Sequence, residues 1–430
     1  MNNFDWVWIL IRIIVMTLIL TFVLVTMGFL TYFERKVAAH MQQRQGPNRT
    51  GFLGLAQWLA DAIKLIHKEE IIPAGADKVV FWIAPMLSMF TASAAYAFVP
   101  FGEQITLFGR TVPYYISETP VGLIALLALS SLGVYGLIMG AWSSNNKYAL
   151  LGGLRASAQV ISYEVTMGIS LVGVMMLAQS LNLSDIARAQ GGSQVTGINL
   201  AGTPGVWFIL LQPVAFLTYL ISAIAETNRT PFDLPEAEAE LVGGYHVEFG
   251  AMHFGLYFLA EYINMITVSA IATYCFLGGW QSILPFDIGG AALGPIWFIL
   301  KMSGFIFFYY WLRWTVPRFR YDQLMGICWK GILPLVLINI GALAIMRYLV
   351  PVNTPPVFHG TLEQTWPWLA FIAVQLVFAV VVIMQVSRAM TRSWFGKSAR
   401  PVLTGGLTTG SLIAAPTAEA ARKIELRPGL

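Results

Sequence analysis

Charge is what this sequence has least of. Only 11% of its 430 residues are Asp, Glu, Lys or Arg, against about 25% in an ordinary soluble domain. So few charges cannot cover a surface that faces water on all sides, which excludes a free-standing soluble globule. Cysteine is nearly absent: Cys275 sits in an apolar run and Cys328 beside a basic loop. That excludes a disulfide framework and any iron–sulfur or zinc ligand spacing. The histidines His40, His67, His246, His253 and His359 show no paired ligand spacing. There is no GxGxxG, no HExxH and no nucleophile elbow. Gly396-Lys397-Ser398 echoes the end of a phosphate-binding loop, but Thr391 stands where its first glycine belongs. Hydrolase, metalloenzyme and dinucleotide-fold readings are left without support, and this chain alone is expected to bind no cofactor.

What the chain has in quantity is apolar sequence: 57% of its residues are hydrophobic and the mean hydropathy is +0.67. A helix needs about 20 consecutive apolar residues to cross the hydrocarbon core. About nine runs qualify, at 6–31, 79–99, 119–142, 159–180, 206–225, 252–276, 295–314, 331–350 and 366–386. The fold class predicted is all-α, a polytopic membrane protein. Residues 1–350 form an eight-helix membrane domain, 351–390 carry a ninth helix behind a proline-rich loop, and 391–430 are a polar tail with the composition of a disordered segment. The first run has no small-residue cleavage site after it and is long enough to remain as a helix.

The net charge of +4 reads as membrane topology rather than nucleic-acid affinity. Alternate loops and the tail hold 21 of the 26 basic residues, which predicts an outside N-terminus and a cytoplasmic C-terminus in the cell membrane. Between the first two runs, Leu55, Trp58, Leu59, Ala62, Ile63 and Ile66 recur at helical spacing. That stretch is too short to span and predicts an amphipathic helix at the cytoplasmic interface, with Asp61 and Lys64 off its apolar stripe.

Acidic residues stand where a membrane protein avoids them. Glu261 lies about 13 Å into the sixth run at 1.5 Å per residue, and Glu164 lies within the fourth. A charge at a helix centre costs on the order of 2.5–3.5 kcal/mol on insertion scales. Either such a carboxylate pairs with a buried Arg or Lys and fixes packing, or it serves a proton relay. Residues 225–248 hold Glu226, Asp233, Glu236, Glu238, Glu240 and Glu248 against a single Arg229. Pro231, Pro235, Gly243 and Gly244 prevent one regular helix there. It is a solvated acidic loop or, given the interleaved Leu234, Leu241, Val242, Tyr245 and Phe249, a segment folded back to line a wet path. A third cluster, Tyr32-Phe-Glu-Arg-Lys36 followed by Arg44-Gln-Gly-Pro-Asn-Arg49, fits interfacial anchoring as well as it fits a site.

Phe33-Glu-Arg-Lys36, Arg44-Gln-Gly-Pro-Asn48, Ala60-Asp-Ala-Ile-Lys64, Ser162-Tyr-Glu164, the 225–248 segment, Ala260-Glu-Tyr262 and Pro317-Arg-Phe-Arg-Tyr-Asp-Gln-Leu-Met325 together resemble the H-subunit family of respiratory complex I, NADH:quinone oxidoreductase. Trp58, Phe249 and His253 depart from the usual family residues. The resemblance implies a subunit of a proton-translocating enzyme with quinone as substrate. FMN and iron–sulfur clusters would reside in partner subunits of the membrane and peripheral arms. It implies that Glu34, Arg35, Asp61, Asp77, Glu226, Asp233, Glu236, Glu238 and Arg313 line a quinone chamber. Glu164, Glu240, Glu248 and Glu261 would open a proton path into the membrane arm. The homologous subunit of a membrane-bound hydrogenase would share the fold. A secondary transporter would instead predict inverted repeats and broken helices in matching halves, which the sequence does not display.

Overall fold

Within hydrocarbon every backbone N–H and C=O must find a partner in its own segment, and the apolar runs accordingly become helices. The computed structural model describes residues 6–107, 110–191, 207–233, 242–282, 290–349 and 370–384. The helices are α1 (Trp6–Met41), α2 (Gln57–His67), α3 (Lys78–Ala95), α4 (Gly122–Ser143), α5 (Lys147–Ala178), α6 (Leu183–Ala189), α7 (Phe208–Leu211), α8 (Pro213–Glu226), α9 (Ala251–Phe276), α10 (Gly290–Thr315), α11 (Tyr321–Ile327) and α12 (Leu333–Leu349), with α13 (Ala370–Met384) closing the series. Among the described residues, seven helical segments are long and apolar enough to cross a membrane, and α8 and α13 are apolar but shorter.

Four spans differ from expectation. The first does not end near residue 31 but continues to Met41, so Glu34 and Arg35 ride on the spanning helix itself. The fourth starts at Lys147 rather than 159 because Asn146 caps it, its side-chain oxygen accepting from Tyr148 N at 2.9 Å. The predicted fifth span, 206–225, is broken. Gln212 leaves the helical region (φ −135°, ψ 60°) ahead of Pro213, whose ring disfavours helix at the preceding residue. The eighth span carries a π turn, Cys328–Ile332, between α11 and α12. A small antiparallel hairpin also interrupts the helical architecture. Strand β1 (Gln104–Leu107) pairs with β2 (Arg110–Pro113) from Gln104 opposite Pro113 to Leu107 opposite Arg110. The proline-rich loop and the polar tail lie outside the described residues.

The amphipathic helix takes the predicted place as α2. Trp58 packs against Phe29 of α1 at 5.4 Å, while Leu59, Ile63 and Ile66 stay exposed. At the centre stands α9, where every residue from Tyr262 to Phe276 except Asn264 is buried. Buried tyrosines tie its surroundings together, because a phenol taken from water needs a partner. Tyr163 donates to Leu324 O at 2.9 Å, Tyr219 to Val268 O at 2.7 Å and Tyr310 to Leu30 O at 3.0 Å.

Candidate functional site

The last turns of α1, the turn after α8, the first half of α9 and the end of α10 meet at one end of the bundle. Each contributes a charged or phenolic group. Glu34 is 5% exposed, and three donors converge on it. Arg229 Nη1 donates to both carboxylate oxygens at 3.0 and 3.1 Å, Tyr262 Oη donates at 2.5 Å, and Arg313 Nη1 donates to Oε1. Arg229 also pairs through Nε with Glu261 Oε1 at 2.6 Å and lies over the Tyr262 ring at 4.4 Å. Burial disfavours the charge on Arg229, but Glu261, Tyr262 and Glu34 outweigh it and raise its pKa above the ordinary arginine value. Two guanidiniums thus balance two carboxylates.

Why the chain holds Arg229 there is local. Thr227 Oγ1 bonds back to the Ala223 carbonyl at 3.2 Å and Asn228 takes a left-handed φ of 51°, which together stop the helix and turn the chain. Gln159 Nε2, fully buried on α5, lies within hydrogen-bond distance of Ala225 O, Asn228 Oδ1 and Phe232 O. From the other side, Phe319 N donates to Pro231 O at 2.9 Å, Phe319 stacks on Phe232 at 5.3 Å, and Arg318 pairs with Asp233 at 2.6 Å. Residues 227–233 are folded back into the protein.

Beside the cluster lies a cavity of about 370 Å³. Its polar wall is Glu34, Arg35, Arg44, Tyr262 and Arg313, and its apolar wall includes Ala38, Ala39, Pro47, Phe258 and Trp314. Three cations against one carboxylate give it a positive bias. It suits a flat apolar group with polar edges, above all one on which negative charge develops.

The expected residues divide around this geometry. Glu34, Arg35 and Arg313 line the cavity. Asp61 stands one step back, bound by Arg35 at 2.5 Å and facing Lys64 at 3.6 Å. Asp77 is outside the lining and caps α3, accepting from Val79 N and Val80 N. Glu248 accepts from Asn146 Nδ2 at 2.6 Å and borders a second, polar cavity of about 320 Å³. Glu226 is not among the lining residues of the cavity; it keeps Oε2 buried without a hydrogen-bond partner among the described residues and has Glu164 as a like-charged neighbour. Glu164 is half-buried and no cation pairs with it among the described residues. Glu236, Glu238 and Glu240 lie outside the described residues. Arg229 and Tyr262 were not among the expected site residues. Their signals were present, a lone arginine in an acidic segment and a tyrosine directly after Glu261.

Of the residues that depart from the usual pattern, Trp58 packs on α1, whereas Phe249 and His253 pack beside α3. Phe249 stacks on Phe81 at 4.0 Å. His253 meets Trp82 edge-on at 4.2 Å and pairs with Glu70 at 3.3 Å.

Residues 13–344 match the NADH dehydrogenase family. The chain is 51% identical over 344 residues to the H subunit of NADH-quinone oxidoreductase from Thermomicrobium roseum, covering 80% of this chain and 98% of that one. It is 50% identical over 324 residues to an H subunit of the same enzyme from Geobacter sulfurreducens, covering 75% and 92%. It is also 50% identical over 318 residues to the H subunit from Rhodospirillum centenum, covering 74% and 88%. This chain belongs to the H-subunit family of NADH-quinone oxidoreductase. The family match spans α1 to most of α12 and includes every residue of the charged cluster. The chain is therefore a multi-pass membrane subunit of a proton-translocating enzyme complex.

Proposed function

We propose that the cavity between α1, α9 and α10 is the membrane-side wall of the quinone chamber, and that Glu226 and Glu164 carry the response to quinone reduction away from it. The observation that supports this most is the buried Glu34 held by Arg229, Arg313 and Tyr262 at the cavity edge. A charge set of this kind is costly to bury and is tightly coupled, so charge arriving in the cavity perturbs all of it. Electrons reach quinone from FMN and iron–sulfur clusters in partner subunits. As negative charge develops on the quinone head, Arg313, Arg35 and Arg44 are drawn toward it and Glu34 is freed to take a proton. Glu226 has Oε2 buried without a hydrogen-bond partner among the described residues and Glu164 as a like-charged neighbour, so a proton or charge change at one alters the other. The path thus runs from the chamber through α8 to α5 and laterally to neighbouring membrane subunits. Asp233, Glu236 and Glu238 are assigned to the chamber, and Glu240, Glu248 and Glu261 to the path. The chamber faces the cytoplasm, the N-terminus lies outside, and the protein resides in the cell's inner membrane.

Replacing Arg313 with Ala tests the chamber. A charge-assisted hydrogen bond is worth about 1.5–3 kcal/mol, so NADH:quinone activity should fall about ten- to hundredfold. Reduction of an artificial acceptor that bypasses quinone should persist in the same membranes. Normal quinone activity in Arg313→Ala would remove the cavity from the quinone site.

A further inference from the structure

Where α10 passes the turn after α8, buried polar atoms on three residues stand close together. Glu226 Oε2, Arg229 Nη2 and Tyr309 Oη are each without a hydrogen-bond partner among the described residues. Tyr309 is 4% exposed and lies one helical turn before Arg313, about 6 Å along α10. This stretch of α10 is held to the turn by Thr230 Oγ1, which donates to Arg313 O at 3.4 Å. The Tyr309 hydroxyl has Glu226, Thr227 and Arg229 as polar neighbours. Thr227 gives its own hydroxyl proton to the carbonyls of Ala223 and Ile224, at 3.2 and 3.1 Å.

The three atoms are complementary. An ionised carboxylate oxygen only accepts, an arginine nitrogen only donates, and a phenol does both. Burying any of them unpaired costs free energy, and a phenylalanine at 309 would fill the same space without that cost. No direct bond joins them, so the gap suits a water, which needs two to four polar partners. A water there accepts from Arg229 Nη2, donates to Glu226 Oε2 and exchanges with Tyr309 Oη. Arg229 belongs to the cluster at the cavity edge, whereas Glu226 has Glu164 as its like-charged neighbour. The water stands between the two.

We propose that Tyr309 is a positioning residue for proton transfer: with Arg229 it holds a water against Glu226, and this water joins the charged cluster to the carboxylate path. An excess proton on the water passes to Glu226 Oε2, leaving a neutral water and a neutral carboxyl. The inference rests on the path reading above, and its test separates the two. In reconstituted complex, infrared difference spectra between the oxidised and NADH-reduced states report carboxyl groups that change protonation. Glu226→Gln should remove one carboxyl band. Tyr309→Phe keeps the ring and removes only the hydroxyl. It should assemble with its flavin and shift that band without removing it. NADH:quinone turnover should slow about two- to tenfold, what one hydrogen bond contributes, with KM for quinone unchanged. Tyr310→Phe loses a bond to Leu30 O instead and should leave the band where it is. An unshifted band or unchanged turnover in Tyr309→Phe, or an equal shift in Tyr310→Phe, would overturn the water link while the path stands. Loss of assembly in Tyr309→Phe would overturn it too, making the hydroxyl a structural bond. If Glu226→Gln removes no band, Glu226 leaves the path and the inference falls with it.

Discussion

Arg229 touches both carboxylates of the cluster, Glu34 through Nη1 and Glu261 through Nε. Removing it would leave the buried Glu34 with Arg313 as its remaining arginine and take from Glu261 its pairing with Nε. Breaking a buried pair by deleting one partner costs about 3–5 kcal/mol, so Arg229→Met should sharply reduce the yield of assembled complex in membranes. Adding Glu261→Gln should recover part of that yield. Arg229→Lys keeps the charge but cannot span both carboxylates with one point donor, and should fall between. Equal yields for all three would deny the cluster its structural weight. The same geometry separates two residues that looked alike in the sequence. Both Glu261 and Glu164 are acids inside apolar runs, open to ion pairing or to proton relay. Glu261 has the buried arginine partner that the pairing reading requires; Glu164 has no cation among the described residues. Burial cost was legible from position along the run. Partners were not, because Glu34 and Arg229 are 195 residues apart and meet only through the packing of α1, α8 and α9.

Element boundaries show the same limit. The apolar runs located the spanning helices, since hydropathy is what the bilayer selects. Their ends were less legible where polar residues continue the helix: Tyr32 to Lys36 reads as an interfacial loop yet belongs to α1, and Lys147 to Arg155 belongs to α5. The break at Gln212-Pro213 was signalled by the proline but masked by apolar neighbours on both sides. The β1–β2 pairing left only a four-residue alternation, too short to stand against a helical background. One close approach holds the site's elements together. A Cβ on Gly152 of α5 would meet Gly244 Cα at 2.7 Å, backbone that cannot swing away, whereas a Cβ on Gly168 of the same helix would meet nothing within 4 Å. Gly152→Ala should therefore push the 242–248 segment off α5. Overpacking of this kind costs about 1–3 kcal/mol, and should lower both assembly and the melting temperature of the purified complex. Gly168→Ala should leave both at the parent level or slightly above, alanine being the better helix former. If the two substitutions behave alike, the packing of that segment against α5 is not what it is described to be.

For the whole molecule, the family and its membrane nature were readable from motifs and composition. The division of labour across the bundle was not. The structure gathers cations and a cavity at one end, with Glu226 on the last turn of α8 beside the cluster and Glu164 within α5. That arrangement exists only in three dimensions. Whether carboxylates couple quinone chemistry to proton movement is tested most directly at Glu164. Gln keeps its size and hydrogen bonding but cannot titrate. In Glu164→Gln membranes, NADH:quinone activity and proton transfer are measured per flavin of assembled complex. A relay at Glu164 predicts normal assembly, with flavin and clusters intact, and a fall in both activities together, since a coupled pump stalls when its relay is blocked. Normal quinone reduction and normal proton transfer per flavin would contradict it.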